Sequence, residues 1–178
     1  MIKKLKLDEL GRIDVETFKK AKKIPLVLIL DNVRSMHNVG SIFRTADAFL
    51  ICKIVLCGIT PRPPHREIHK AALGATESVN WIYEKNINIA IENLKKENFE
   101  IIGIEQTTAS KMISEFEISK EKKYALILGN EVEGISDEAL PNIDIFLEIP
   151  QLGTKHSLNV SVCAGIAIWE FFNIQNKN

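Results

Sequence analysis

The segment from Ile149 to Val162 has the residue types of a ligand-binding loop. A predicted strand ends at Pro150, a loop containing Gly153 follows, and the small polar residues Ser157 and Asn159 open an apolar helix. Such a loop can present backbone N–H and C=O groups to the edge of a ligand, with polar side chains at the mouth of the helix. On its own, the segment indicates a nucleotide-like ligand.

A second segment, from Asn38 to Ala46, carries an amide and an arginine on one predicted helix. The guanidinium of Arg44 is suited to hold a phosphate through two parallel hydrogen bonds. Spacing alone favours a surface arginine paired with Asp47 or with a distant carboxylate, and it is consistent with Asn38 as the cap of the helix. Because Asn38 and Arg44 are six residues apart, we expect both to face one cavity at the start of the helix.

A third segment, from Leu128 to Ser136, follows an apolar strand. Glu131 comes directly after the turn at Gly129 and Asn130. A carboxylate at this point is favourable near the N terminus of a following helix. The segment therefore places a third set of polar groups after a strand.

Together, and in this order, the three segments closely resemble the motifs of the SpoU class of SPOUT methyltransferases, from about Ile24 to Phe172. The matching patterns are Asn-x-Gly-x-x-x-Arg-Thr at 38–45, Gly-Asn-Glu at 129–131 and Ser-Leu-Asn-Val at 157–160. The resemblance implies methylation of the ribose 2′-hydroxyl of tRNA or rRNA with S-adenosylmethionine. It also implies one SPOUT domain over residues 1–178, a deep trefoil knot in the last third, and a homodimer with its active site at the subunit junction.

The same resemblance assigns roles to residues of this chain. Arg44 matches the main catalytic arginine. Arginine is hardly ever deprotonated, so the role of general base is physically demanding for it. The other residues expected at the catalytic centre are Asn38, Glu131, Ser157 and Asn159. The residues expected to bind the cofactor are Leu128, Gly129, Asn130, Gly134, Ile149 and Leu158. Val132 and Leu50 stand where many relatives have glycine, and we interpret Leu50 as a packing variant.

Hydrophobic patterns place these segments in an α/β fold. Residues 24–30 form an unbroken apolar run, which is typical of a strand covered on both faces. Further strands are predicted at 53–56, 79–83, 99–104, 124–128 and 143–149, and helices at 8–23, 39–49, 67–73, 87–96 and 161–172. Alternating strands and helices predict a mainly parallel sheet with helices on both faces, and a site at the carboxyl ends of its strands.

The composition limits the classes of function. The 178 residues include 23 basic and 23 acidic ones, and zero net charge argues against strong non-specific nucleic-acid binding, although residues 1–23 form a short basic extension. No apolar run has the roughly 18 residues of a membrane helix, and no secretory signal is recognisable. The three cysteines, Cys52, Cys57 and Cys163, lack metal-ligand spacing, so we expect no metal and buried free thiols in a reducing cytoplasm.

Two alternatives to the methyltransferase stay open. A non-catalytic RNA-binding relative would keep the fold, but the retained motif residues argue against it. An α/β nucleotide-binding enzyme without an RNA substrate is disfavoured, since neither a Walker loop nor Gly-x-Gly-x-x-Gly follows the first strand. His156 is a further candidate base because imidazole titrates near neutrality. The helix at 161–172 is apolar on more than one face, which favours a homodimer.

Overall fold

The computed structural model describes residues 2–175, so Met1 and residues 176–178 lie outside the described residues. Seven parallel strands form one sheet in the order β3-β2-β1-β6-β4-β7-β5. The strands are β1 (Ile24–Asp31), β2 (Ile51–Cys57), β3 (Trp81–Glu84), β4 (Phe99–Ile104), β5 (Lys111–Met112), β6 (Lys123–Leu128) and β7 (Ile145–Glu148).

Helices cover both faces of this sheet. They are α1 (Val15–Lys20), α2 (Met36–Ala48), α3 (Arg66–Ala72), α4 (Ala75–Ser78), α5 (Ile87–Lys96) and α6 (Val160–Gln175), with short 3-10 turns at Leu7–Leu10, Ile113–Glu115 and Leu140–Asn142. The predicted parallel α/β architecture is confirmed. No helix within residues 2–175 is long and apolar enough to cross a bilayer.

The central strand β1 divides its side chains between two cores. Leu26, Leu28 and Leu30 pack with apolar residues of α1, α2, α3, α4 and α6. Val27 and Ile29 point to the opposite face and pack with residues of α5. All five side chains are fully buried, because successive residues of a strand alternate between faces and both faces carry helices. This confirms the prediction made from the unbroken apolar run.

Helix α2 begins at Met36, three residues before the predicted start. Its N-cap is Ser35, whose hydroxyl oxygen accepts a hydrogen bond from the backbone N–H of Asn38 at 3.2 Å. The alternative in which Asn38 caps the helix is therefore wrong. Its side chain is left available for other contacts, which are described below.

The predicted single helix over residues 8–23 is also wrong. Gly11 has a φ of 59° and interrupts the segment, and α1 starts only after Asp14, whose carboxylate accepts from the N–H of Thr17 at 2.7 Å. Phe18 is buried as expected, but Val15 is 38% exposed. The apolar spacing suggested one helix, whereas the local glycine and the aspartate cap decide where helical structure begins.

Smaller differences concern element lengths and one backbone conformation. The last predicted strand, 143–149, shortens to β7, and the two-residue strand β5 has no recognisable pattern. Leu50 has a φ of 53°, a conformation that glycine adopts without strain. Leu50 also packs against the core, so it is a packing variant at a position whose backbone conformation suits glycine.

Two close packings fix the position of α2. A Cβ at Gly40 would overlap the carbonyl oxygen of Ile68 on α3, so the absence of a side chain lets the two helices touch. At the other end, the ring of Phe49 packs edge-on against Trp169 and Phe172 of α6, with centroids 5.9 and 4.8 Å away. The segment that carries Arg44 is thus held between α3 and α6.

Candidate active site

A cavity of about 230 Å³ lies where β4, β6 and β7 end. All six residues expected to bind the cofactor line it, namely Leu128, Gly129, Asn130, Gly134, Ile149 and Leu158. Glu131 and Ser157 line it as well. The position agrees with the expectation that a parallel sheet binds ligands at the carboxyl ends of its strands.

The loop after β6 is folded back on itself beside this cavity. Asn130 and Gly134 exchange two backbone hydrogen bonds of 2.8 and 3.0 Å. A Cβ at Gly129 would overlap the backbone of Gly134 and Ile135, so this position requires glycine. The Asn130 amide donates to the carbonyl of Asn32 at 2.7 Å, which ties the loop to the end of β1.

Two carboxylates, at the ends of the strands that flank β6, hold the far side of this loop. Glu105, directly after β4, accepts from the N–H of Ile135 at 3.1 Å. The buried Asp31, at the end of β1, accepts from the N–H of Ser136 at 2.8 Å. Sequence reasoning missed both residues. Their position at strand ends on the binding edge was the signal that could have found them.

The cavity is acidic. Its lining includes four glutamates, Glu105, Glu131, Glu133 and Glu148, and none of the described residues that line it is a lysine, arginine or histidine. Several negative charges around one space favour a cationic ligand and disfavour phosphates.

One chain of hydrogen bonds links the three sequence motifs. The Asn38 amide nitrogen donates to Glu131 Oε1 at 2.9 Å, and the Asn38 amide oxygen accepts from Asn159 Nδ2 at 3.1 Å. The other end of the Asn159 amide accepts from the N–H of Ser161 at 2.9 Å and so caps α6. Asn38 thus connects the other two motifs.

The carboxylate of Glu131 also holds the N terminus of α2. It accepts from the backbone N–H groups of Arg34 and Ser35 at 2.9 and 3.0 Å. Partial burial opposes ionisation, but the hydrogen bonds from Arg34, Asn38 and Ser35 outweigh it and lower the pKa of Glu131. A carboxylate that accepts three hydrogen bonds in its ionised form is a poor general base. Glu131 therefore positions the other groups.

Arg44 lies apart from this network. Its side chain is exposed, does not line the cavity, and makes no hydrogen bond or ion pair with any residue in the range 2–175 that the structure describes. Six residues of α-helix separate Asn38 and Arg44 by roughly 240° around the axis. The expectation that both face one cavity is therefore wrong within a single chain, and the alternative pairing of Arg44 with Asp47 is not observed.

Three further residues singled out from the sequence, Ser157, His156 and Val132, are exposed in the structure. Ser157 is exposed on the loop that borders the cavity. His156 is exposed too, and its carbonyl oxygen accepts from the side chain of Gln106 at 3.3 Å. Val132 is 78% exposed, so its side chain leaves the loop undisturbed.

Among residues 2–175, no group of three His, Cys, Asp or Glu side chains could hold a metal ion.

Cys163 of α6 contributes a thiol to the cavity that sequence reasoning did not assign to it. Burial, with a smaller effect of Glu105, raises the pKa of this thiol to about 11. The thiolate is the nucleophilic form of cysteine, so the neutral Cys163 acts as a small apolar wall. Cys57 is also a buried free thiol, with a pKa that burial raises to about 12.

Comparison with known families places these motifs in a wider group. The model of the SpoU rRNA Methylase family matches residues 25–169. The chain belongs to the SpoU family. Its relatives include the 23S rRNA (guanosine-2′-O-)-methyltransferase RlmB of Coxiella burnetii, 32% identical over 169 residues that cover 92% of this chain. A Staphylococcus aureus protein named for the TrmH family is 31% identical over 163 residues and 89% of the chain. The SpoU chain spans 64% of the length of each of these relatives.

Solved structures of SpoU proteins share the fold. The A. aeolicus TrmH/SpoU tRNA modifying enzyme superposes with a TM-score of 0.78 at 27% identity, over 90% of this chain and 79% of that one. An AdoMet-bound rRNA methyltransferase from Sinorhizobium meliloti gives a TM-score of 0.80 at 24% identity, over 90% and 61% of the two chains. The second likeness concerns the fold alone.

Proposed function

We infer that this SpoU chain transfers a methyl group from S-adenosylmethionine to the ribose 2′-hydroxyl of a tRNA or rRNA. The observation that carries this inference is the convergence of the three motifs. Apart from Arg44, the residues assigned to the site either line one cavity at the carboxyl edge of the sheet or join the hydrogen-bond chain beside it. Family membership and the names of the relatives support an RNA methyltransferase.

The charge of the cavity supports this cofactor over a phosphorylated nucleotide. S-adenosylmethionine carries a positive sulfonium, a positive amino group and one carboxylate, so it is a net cation, and it has no phosphate. Four glutamates line the cavity without a basic partner in the described lining, so they attract such a ligand and repel a nucleoside phosphate. This disfavours the alternative of a generic nucleotide-binding enzyme.

The residues present fit the cofactor in shape as well. Leu128, Ile149 and Leu158 offer apolar surface for a flat adenine ring, and the close backbone turn at Gly129 exposes peptide groups to its edge. S-adenosylmethionine supplies a methyl carbon, which forms a bond to the 2′-oxygen while its bond to sulfur breaks. The chain must position the ribose, exclude water and accept one proton near the 2′-oxygen.

We assign the positioning of the ribose and its phosphate to Arg44 of a second subunit. Within one chain, Arg44 is exposed and outside the cavity. A homodimer that pairs the exposed surfaces of α2 and α6 would bring this guanidinium towards the partner's cavity. There it would bind a phosphate through two parallel hydrogen bonds.

The surface of α6 supports such a dimer. Ile168 and Phe171 are fully buried on one side, whereas Val162, Ile166 and Trp169 are 51%, 39% and 51% exposed on the other. An apolar helix face left in water commonly marks an interaction surface. Because Trp169 touches Phe49 next to the end of α2, the exposed apolar face adjoins the helix that carries Arg44.

The trefoil knot is part of the same proposal. Strand β6 lies between β1 and β4, although β4 and β5 precede it in the chain. After β7, on the far side of β4, the chain returns to pack α6 against α2 and β1. This order of crossings fits a last third of the chain that passes through an earlier loop, and tracing the chain in a crystal structure would test it.

An RNA-modifying enzyme with three free cysteines also suits the cytoplasm, where thiols stay reduced.

The test of the proposed function is transfer of a labelled methyl group to bulk tRNA and rRNA. The modified nucleotides are identified by their resistance to alkaline cleavage, which requires a free 2′-hydroxyl. We expect transfer with the wild type, and loss of transfer with retained cofactor binding in Arg44→Ala. Lys96→Ala, which removes an exposed cation from α5, is the matched control and should behave as the wild type.

Three results would contradict this proposal. Label on a base instead of a ribose would exclude the 2′-hydroxyl. Normal transfer by Arg44→Ala would exclude the role of that arginine. RNA binding without transfer or cofactor binding would support the alternative, a non-catalytic relative.

A further inference from the structure

A second cavity, of about 480 Å³, lies between the loop after β2, the helices α3 and α4, and the start of β3. It shares no lining residue with the acidic cavity, and the methyl-transfer proposal makes no use of it. Its lining combines one large aromatic ring with prolines and basic side chains.

Flat apolar surface forms one part of this cavity. Trp81 is half-buried at its wall, Pro63 and Pro64 supply ring carbons, and the buried Ile68 lies beneath. An indole ring stacks well on other flat rings, and nucleobases present such a face regardless of sequence. The shape therefore suits a planar, unsaturated ligand.

The polar lining of this cavity differs from that of the first, because it combines donors with a single carboxylate. Arg66, His65 and His69 line it together with Glu77. Arg66 is exposed and forms no hydrogen bond or ion pair with a described residue, so its guanidinium is available for a phosphate. His65 Nδ1 accepts from the N–H of Glu67 at 3.2 Å, which leaves Nε2 as the nitrogen that can donate to a ligand.

Packing fixes this cavity relative to the methyl-transfer site. Ile68 lines it, and the carbonyl of the same residue lies against Gly40 of α2, the helix that carries Arg44. The preceding loop is tied to the end of β1, because Thr60 accepts from the N–H of Val33 at 3.0 Å and Asn32 accepts from the N–H of Ile59 at 3.0 Å. A ligand here would be held at a set distance from the reacting ribose.

We propose that this second cavity binds an unpaired nucleotide of the substrate RNA, with the base stacked on Trp81 and its phosphate held by Arg66. This rests on the proposed function, since it takes RNA as the substrate. Arg62 extends the basic surface in the same loop, where its guanidinium stacks on the ring of Tyr83 at 4.2 Å. Stacking and phosphate contacts without base-specific hydrogen bonds would place the RNA with little sequence preference.

Tryptophan fluorescence tests the stacking. The chain contains two tryptophans, Trp81 and Trp169, so the difference between the wild type and Trp81→Phe reports on Trp81. We expect a short unstructured RNA to quench wild-type emission, and the quenching to be largely lost in Trp81→Phe. The same RNA annealed to its complement should not quench, because its bases are already stacked. Quenching by adenosine monophosphate, measured in the same way, shows whether the cavity binds a free nucleotide as well as it binds RNA.

Arg66→Ala tests the phosphate contact. We expect KM for the RNA to rise about tenfold with kcat and the affinity for S-adenosylmethionine unchanged, because Arg66 acts on a part of the RNA outside the reacting centre. The slope of log affinity against log salt should fall by about one, as for one lost phosphate contact. Lys96→Ala, an exposed cation on the opposite face of the sheet, should leave all these quantities unchanged.

The outcomes separate this proposal from the function on which it rests. Methyl transfer that persists with unchanged KM in Arg66→Ala, and without Trp81 quenching, would overturn the nucleotide site and leave the proposed function intact. Quenching and salt dependence without methyl transfer would support the RNA site and refute the proposed function. Saturable quenching by adenosine monophosphate or by the duplex, equal to that by single-stranded RNA, would overturn the assignment to an unpaired RNA nucleotide.

Discussion

Asn38 shows how one residue type can be required by two partners at once. Its amide donates to Glu131 and accepts from Asn159. An aspartate could not donate a hydrogen bond, and its carboxylate would face that of Glu131. A leucine could neither donate to Glu131 nor accept from Asn159. The side chain is 6% exposed, so an unmatched group would also lack water as a substitute partner.

Glu131→Gln is expected to weaken the link between the motifs. Either orientation of the new amide places a donor against N–H groups that now have an acceptor, which costs on the order of 1 kcal/mol of unfolding free energy. The pKa of Glu131 is lowered in the folded chain, so ionisation stabilises the fold above the unfolded pKa. This contribution is lost as the pH falls from about 4.5 through the lower folded value.

Chemical denaturation at pH 7 and at pH 3 measures this effect. The difference in stability between wild type and Glu131→Gln should be present at pH 7 and smaller at pH 3. An equal difference at both pH values would show that ionisation of Glu131 contributes nothing. Glu133→Gln, on the same loop but without a hydrogen-bonded carboxylate, is the control.

Gly129→Ala is expected to lower cofactor affinity by at least about tenfold. The added Cβ would overlap backbone atoms of Gly134 and Ile135, so the loop that lines the cavity must move. Gly153→Ala serves as the control, because a Cβ there meets no atom within 4 Å. Calorimetric titration with S-adenosylmethionine compares the two, and equal affinities would refute the role of the turn.

At the scale of elements, the sequence predicted what local patterns encode. The run from Ile24 to Leu30 identified a two-faced strand, because burial on both sides leaves no polar alternation. The helix at 87–96 was predicted with its observed bounds. By contrast, β5 has two residues, and its existence depends on pairing with β7. Such a strand has no period of its own for a sequence to display.

The site was predicted unevenly, for a related reason. Residues within the three motifs were found because the motifs are contiguous in sequence. Glu105 and Asp31 were missed, since their partners Ile135 and Ser136 lie 30 and 105 residues away. The expectation that Asn38 and Arg44 face one cavity was wrong because both lie inside α2. Six residues of helix turn their side chains to different sides of the axis.

Helix α6 makes a testable prediction about assembly. Ile166→Lys places a charge in the exposed apolar face of this helix, where Ile166 is 39% exposed. We expect it to convert the proposed dimer to a monomer in sedimentation at micromolar protein, because burying an unpaired charge at an interface is unfavourable. Ile89→Lys, at a 46% exposed isoleucine on α5, should leave the dimer intact. A wild type that sediments as a monomer while it methylates RNA would exclude the proposed dimer.

At the scale of the whole molecule, the proposed active site belongs to two chains. Within one chain, Arg44 is exposed and does not line the acidic cavity. If each site takes its cavity from one subunit and its arginine from the other, then two different defects can complement each other. An enzyme with both parts in one chain could not show this behaviour.

Mixing Arg44→Ala with Gly129→Ala subunits tests this arrangement. At a cofactor concentration that fills the wild-type cavity but leaves the Gly129→Ala cavity largely empty, each homodimer is expected to have little activity. A heterodimer would contain one intact cavity facing one intact arginine. Random exchange makes half of the dimers mixed, each with one working site, so activity should return to about a quarter of the wild-type value. No recovery, despite heterodimers detected by differential tagging, would place Arg44 in the site of its own chain.

The long-range bonds of the site also determine when it can come into existence during synthesis. Glu131 and Asn159 lie 93 and 121 residues after Asn38, and β1 pairs with β6 across nearly 100 residues of chain. A ribosome that adds about 5–20 residues per second therefore exposes the first motif several seconds before its partners. Until α6 has emerged, the nascent chain has no closed cavity, so an unfinished polypeptide cannot sequester the methyl donor.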